Sequence, residues 1–497
     1  MLFNSYTFVL VFLPAAILGF FYLSRAGEQA GRLWLVGVSF VFYGWWDPRF
    51  LPILIGSIAV NHVFWRVIAG SRGRIQVAAV TVGIACNLML LMYFKYAAAW
   101  LSVFSIAIDT PSLPLGISFF TFTQIGLLID ARAGCASQPA LASHALFVSF
   151  FPHLIAGPVL QHQEIMPQFS SGRIFRPSAE NISAGLMIFF IGLLKKTLLA
   201  DPLAPAVASG FADPAGLTLV AAWQTALSYS LQLYFDFSGY SDMAIGAARM
   251  LNIRFPANFN SPYKAQSVID YWQRWHITLT RYLTIYVYNP LSVWLTRRRV
   301  ARGGAINRRA RASLSGFTNL VALPTVVTIS LAGIWHGSGL VFLVFGLMHA
   351  VYLIVNHAWR LRHGVRAANG RAAVVARVAL TYACVLAGSV VFRAPSLGAA
   401  GEVFAGMLGS HGVAVALPDL RQGLEILQIA ALYAIVWLAP NTQQIMRACE
   451  PVLGAASIPR SRLAWRPNLP WAAALGGAAC LGLLSLGGSS EFLYFRF

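Results

Sequence analysis

The stretch Asp236-Phe-Ser-Gly-Tyr-Ser-Asp-Met-Ala-Ile-Gly-Ala-Ala-Arg-Met-Leu-Asn-Ile-Arg-Phe-Pro-Ala-Asn-Phe-Asn-Ser-Pro-Tyr263 packs Asp, Ser, Gly, Asn and Pro between strongly apolar segments. A bundle of membrane helices needs only a short loop at such a place. Irregular backbone at membrane depth is tolerated only where protein buries it or a wet cavity touches it. The stretch is therefore expected to be a re-entrant segment lining a chamber, with a plain interfacial loop as the alternative.

The rest of the chain supplies the membrane. Of 497 residues, 58% are hydrophobic and only 10% charged, against roughly a quarter charged in soluble domains, and the mean hydropathy is +0.66. A soluble enzyme, a fibrous protein and a disordered chain are excluded. At about 20 residues per span there is room for about eleven or twelve transmembrane or re-entrant helices. Apolar candidates run over residues 7 to 24, 33 to 46, 50 to 69, 75 to 94, 96 to 109, 113 to 130 and 145 to 160. They continue over 182 to 200, 218 to 235, 270 to 295, 317 to 335, 339 to 357, 374 to 393, 424 to 440 and 471 to 487. With no internal repeat and no linker, an all-α polytopic membrane protein with one integral membrane domain, 1–497, is the simplest expectation.

The formal charge of +20 is not a nucleic-acid signal, because the arginines sit in loops between apolar segments and no recognition motif accompanies them. Arg297, Arg298, Arg299, Arg302, Arg308, Arg309 and Arg311 form one cluster, and others lie between Arg360 and Arg377 and between Arg460 and Arg466. Such loops mark the cytoplasmic side. Arg25 and Arg32 follow the first apolar segment, which no basic residue precedes, so it reads as a retained span with the N-terminus outside. Cys86, Cys135, Cys384, Cys449 and Cys480 are odd in number and far apart, which yields neither a disulfide framework nor a zinc site.

The common soluble catalytic motifs are missing, so chemistry must rest on intramembrane polar residues. His336, in Gly333-Ile-Trp-His-Gly-Ser-Gly339, lies between two apolar segments, and an ionisable group held there is a functional candidate by default. An imidazole can take a proton from a hydroxyl near neutral pH and return it to a leaving group. His276, in Tyr271-Trp-Gln-Arg-Trp-His-Ile-Thr-Leu279, is the second candidate, with an interfacial structural role as its competitor. His349 and His357 read as packed or interfacial. Trp335, Asp236, Asp242, Asn258 and Asn260 are candidates for substrate binding, the two aspartates with an architectural use favoured. No Asp or Glu occurs between Asp270 and Glu402, so a carboxylate partner for His336 would have to come from Asp236, Asp242 or Asp270.

Five segments in order now resemble the membrane-bound O-acyltransferases, and within them the bacterial branch that includes the membrane subunit of alginate O-acetylation. They are Phe150-Phe-Pro-His-Leu-Ile-Ala-Gly-Pro158, Leu233 to Gly246, Arg254-Phe-Pro-Ala-Asn-Phe-Asn-Ser-Pro-Tyr263, Tyr271 to Leu279 and Gly333-Ile-Trp-His-Gly337. The motif-bearing core spans about 114–357, and the opening Met1-Leu-Phe-Asn-Ser and the closing Phe492-Leu-Tyr-Phe-Arg-Phe497 also look like that branch. The resemblance implies a ring of tilted helices around a central conduit, with His336 as the essential catalytic residue and His276 in the second histidine position.

It further implies a multi-pass protein of the bacterial inner membrane. Acetyl would move from a cytoplasmic donor, acetyl-CoA as a substrate rather than a resident cofactor, toward an extracytoplasmic polysaccharide such as alginate or a wall glycan. Transfer would be direct or through an extracytoplasmic acetyltransferase partner. The arginine cluster 297–311 is a topology signal and also a potential contact for the donor's phosphates. Tyr271-Trp-Gln-Arg departs from the acidic, arginine-rich start usual before that histidine, which leaves open cellulose and cell-wall acetylation, and D-alanylation as a related branch performs it. The rival from another class is a transporter or flippase of a glycan or lipid precursor, with the histidines and aspartates as a proton path.

Overall fold

The computed structural model describes residues 1–97, 113–135, 140–364, 370–413, 420–454, 458–459, 461–487 and 492–493. Its principal helices are α1 (Thr7–Leu23), α2 (Glu28–Gly44), α3 (Pro48–Gly70), α4 (Gly73–Lys95), α5 (Ile117–Arg132) and α6 (Leu141–Ser149). There follow α7 (Ala179–Ala212), α8 (Leu219–Met250), α9 (Val268–Trp272), α10 (Ile277–Leu283), α11 (Asn289–Ala301) and α12 (Leu314–His336). The series closes with α13 (Leu340–His363), α14 (Arg371–Arg393), α15 (Leu397–Met407), α16 (Leu420–Leu438) and α17 (Leu469–Gly487). Among the described residues the only β pairing is an isolated bridge between Pro256 and Leu453. Seven helices, α3, α4, α7, α12, α13, α14 and α17, are long and apolar enough to cross a membrane, and α1, α15 and most of α16 are shorter apolar helices. The protein is an all-α, multi-pass membrane protein.

Side-chain caps set several helix starts. Asp47 accepts from the Arg49 amide ahead of α3, with Pro48 at its first position. Ser178 accepts from Asn181 at α7, and Asn468 from Trp471 at α17. Each satisfies a backbone donor that has no partner within the helix.

Three expectations change. The expected span 270 to 295 is interrupted only near its start: α9 ends at Trp272, and from Ile277 the chain runs through α10, one wide helical turn at Thr284–Tyr288 and α11 to Ala301 without a break. The expected span 145 to 160 breaks at Phe150, whose ψ of 109° ends α6. The expected span 96 to 109 lies, beyond its first two residues, outside the described residues.

The re-entrant reading of 236 to 263 is also corrected. Asp236 to Met250 is the second half of α8, a continuous helix of 32 residues, and the backbone turns irregular only from Leu251. The small residues serve close helix packing. A Cβ on Gly246 would stand 2.6 Å from the Gly185 carbonyl oxygen, and one on Gly239 would stand 2.7 Å from that of Gly192. α7 and α8 therefore meet at two glycine pairs seven residues apart, the small-residue contact that lets membrane helices approach backbone to backbone.

The chain folds into two compact units, each discontinuous in sequence. Among the described residues, one comprises those within Met1–Leu198, Phe237–Ala257 and from Pro440 onward; the other comprises those within Leu199–Asp236 and Asn258–Ala439. In the first unit the opening and closing motifs meet on one residue. Tyr240 stacks between Phe3, at 4.8 Å, and Phe492, at 4.5 Å. The buried Asn61 of α3 and Asn87 of α4 exchange reciprocal amide hydrogen bonds of 3.2 and 2.6 Å. In the Phe150 to Pro158 segment, His153 Nε2 donates to the Phe147 carbonyl at 2.9 Å, and Gly157 leaves no room for a Cβ, which would lie 2.5 Å from His153 Cα. That segment is a buried corner.

Candidate active site

The second unit holds both candidate histidines. α12 and α13 form a tight hairpin because a Cβ on Gly333 would fall 2.3 Å from the Phe342 carbonyl oxygen, and one on Gly346 would fall 2.8 Å from that of Ile329. The turn begins where Gly337, extended at φ −171° and ψ 168°, ends α12. His336 is the last residue of α12 and is half-buried. Its ring stands edge-on to Phe392 of α14 at 5.0 Å and against Trp335 at 4.8 Å.

His276 reaches the same tryptophan from another element. It is 1% exposed, and its ring centroid lies 6.3 Å from that of Trp335. Residues 258–260 and 274–277 run side by side, joined by hydrogen bonds from the Asn260 amide to the Arg274 carbonyl and from the Ile277 amide to the Asn258 carbonyl, both 2.9 Å. His276 caps α10 with φ 43° and ψ 50°, a left-handed conformation that is uncommon outside glycine. Trp275, just before it, packs in an aromatic cluster with Phe259 at 5.0 Å and Tyr271 at 5.8 Å.

The side chain of Asn258 determines how His276 presents its nitrogens. Asn258 Oδ1 lies 3.4 Å from the Thr278 amide nitrogen, 2.9 Å from Thr278 Oγ1 and 3.0 Å from His276 Nδ1. A backbone N–H can only donate, so the atom it meets is the carbonyl oxygen, and His276 Nδ1 must donate to that oxygen as well. The hydrogen therefore sits on Nδ1 and the lone pair on Nε2. Burial holds the imidazole well below its usual value, at about 3, so the ring is neutral at physiological pH. A neutral ring with its lone pair on Nε2 can accept a proton or a hydrogen bond there.

The remaining candidates divide. Trp335 joins the two histidines and is 5% exposed. Asn258 is His276's partner, a role that its sequence context did not disclose. Asn260 is half-buried and contributes its backbone to the pairing with Arg274. Asp236, 1% exposed, lies inside α8. Asp242 belongs to the first unit, where it accepts from Lys195 Nζ at 2.6 Å, from Thr442 Oγ1 at 2.6 Å and from Gln443 Nε2 at 3.3 Å. That is the architectural use. Asp270 accepts from Arg274 Nε at 2.7 Å and from the Gln266 amide at 3.0 Å. His349 is packed, with its Nε2 2.5 Å from where a Cβ on Gly388 would stand.

Comparison with known proteins shows the family of the chain. The model of the membrane-bound O-acyltransferase family matches residues 79–304, a range that includes His276 and ends before His336. The chain is 34% identical over 542 aligned positions to a peptidoglycan O-acetyltransferase of Helicobacter pylori, covering 100% of this chain and 98% of the relative. It is 36% identical over 450 to the probable alginate O-acetylase AlgI of Azotobacter vinelandii, covering 87% and 83%. It is 27% identical over 241 to a teichoic acid D-alanyltransferase of Bacillus subtilis, covering 48% and 58%. The chain belongs to the membrane-bound O-acyltransferase family. It is an acyltransferase of the membrane, which decides against the transporter alternative.

Proposed function

We propose that the protein moves an acetyl group from acetyl-CoA on the cytoplasmic side to a hydroxyl of an extracytoplasmic polysaccharide, directly or through a partner acetyltransferase in that compartment. The observation that carries the chemistry is the placement of His336 and His276 against the single ring of Trp335. His336 accepts the proton of the acceptor hydroxyl as its oxygen attacks the thioester carbonyl. The tetrahedral adduct collapses, the carbon–sulfur bond breaks, and the departing thiolate takes that proton. His276, neutral and presenting the Nε2 lone pair, is the second positioned group. α12 starts just beyond the arginine cluster 297–311 and carries His336 at its other end. This matches a donor met on the basic side and an acceptor on the opposite one.

The relatives named for peptidoglycan and alginate acetylation support a glycan acceptor, and the D-alanyltransferase relative makes an alanyl thioester the donor to try second. The test uses sealed vesicles with labelled acetyl-CoA at the donor face and a glycan plus the cognate extracytoplasmic protein at the acceptor face. His336→Ala is expected to lower label transfer at least about 10²-fold, the usual size of a lost acid–base group, with the protein still inserted and monodisperse. Equal transfer by both proteins would remove His336 from the mechanism.

A further inference from the structure

The second unit contains a cavity of about 870 Å³ whose lining includes Trp223 of α8, Tyr382 and Leu386 of α14, Met407 of α15, Trp437 of α16, and Lys264. The other lining side chains are apolar. Nearly every polar group on its wall is already engaged by protein. Trp223 Nε1 donates to the Met407 carbonyl at 3.0 Å and Trp437 Nε1 to the Tyr263 carbonyl at 3.2 Å. The Tyr382 hydroxyl donates to Ser230 Oγ at 3.0 Å and shares a hydrogen bond with the Tyr433 hydroxyl.

Lys264 is the exception. Its ammonium donates to the Ala439 carbonyl at 2.8 Å, which uses one of three donors. Among the described residues no carboxylate pairs with it. Asp270, close in sequence, is paired with Arg274. Burial, and then the charge of Arg274, lower the Lys264 pKa. A charge beside a low-dielectric cavity is costly unless an anion and further hydrogen bonds satisfy it. The cavity is flanked by α14, a helix long and apolar enough to cross a membrane, so the anion at hand is a lipid phosphate.

We propose that this cavity binds an anionic glycerophospholipid of the surrounding bilayer, with an acyl chain lying along α14 between Trp223 and Trp437 and the phosphate accepting hydrogen bonds from Lys264. The apolar wall recognises the chain and the unpaired ammonium selects the head group. A zwitterionic lipid brings its own cation to the same place and gains less. This inference does not depend on the acyl group or the acceptor.

The test is native mass spectrometry of the full chain, purified in detergent and exposed to equimolar phosphatidylglycerol and phosphatidylcholine. Wild type is expected to retain phosphatidylglycerol preferentially. Lys264→Gln should reduce that preference by about fivefold, the equivalent of about 1 kcal/mol for one basic residue at an anionic head group, and Lys264→Arg should keep it. Ala383→Trp, which fills the cavity from α14, should lose bound lipid of both kinds. Equal retention of the two lipids by wild type would overturn the head-group assignment, as would an unchanged preference in Lys264→Gln. Undiminished lipid in a monodisperse Ala383→Trp protein would overturn the location.

Discussion

His276 occupies backbone that costs a non-glycine residue roughly 1–3 kcal/mol, a cost that persists where the surroundings over-determine the conformation. Here they do, because the Ile277 amide and the His276 ring are both held by Asn258. The acceptor oxygen of Asn258 fixes the tautomer, which separates two substitutions. Asn258→Ala is expected to reduce kcat about 10²-fold with little change in KM, whereas Asn258→Asp keeps an acceptor at the same position and should retain most of the activity. Loss of activity in Asn258→Asp would assign the effect to the Nδ2 donor instead. With its pKa held near 3 by burial, His276 is neutral from well below its usual value upward. Its protonation therefore opposes folding as pH falls toward 3 and contributes nothing to a pH dependence above about 7. A titration limb of activity near neutrality that moves with His276→Gln would contradict this. The sequence marks the histidine as a candidate, with an interfacial structural role as its competitor; its partner, 18 residues earlier, is not marked, because the bond exists only where two irregular segments return side by side.

At the scale of elements, small residues did more than motif spacing suggests. Gly246 and Gly239 lie in a stretch whose polarity points to a loop, yet they sit on a continuous helix pressed against Gly185 and Gly192 of α7. Gly246→Leu has no space to enter and is expected to destabilise the protein by about 1–3 kcal/mol or more, read as a lower thermal midpoint and less monodisperse protein. Gly423, where a Cβ would project into open space, is the control, and Gly423→Ala on α16 should be neutral or stabilising. The hairpin of α12 and α13 rests on the same device at Gly333 and Gly346, so Gly333→Leu should displace His336 and lower activity together with stability. Hydropathy marks which segments are apolar, but it carries no information on which glycine faces a backbone, and so the polar half of α8 reads as irregular until its packing is seen.

For the molecule as a whole, the arginine clusters predict the orientation. In a cysteine-free background, a cysteine at Ser338 should react with an impermeant thiol reagent in intact cells, and one at Arg302 only after permeabilisation; the reverse pattern would invert the proposed topology. The ion pair between Lys195 and Asp242, with side chains 15% and 3% exposed, should be worth keeping intact. Lys195→Met leaves a buried carboxylate and is expected to cost about 3–5 kcal/mol, and Lys195→Met with Asp242→Leu should recover much of it. Composition and apolar segments by themselves determined a polytopic helical membrane protein, and the ordered motifs determined its family and singled out two candidate histidines, since these are properties of residues read in order. Tertiary structure alone decided that both histidines share Trp335, that Asn258 orients one of them, that Asp242 serves an ion pair and that Lys264 faces an apolar cavity. Each of those depends on segments far apart in the chain coming within a few ångströms, a distance set by packing rather than by any residue's own chemistry.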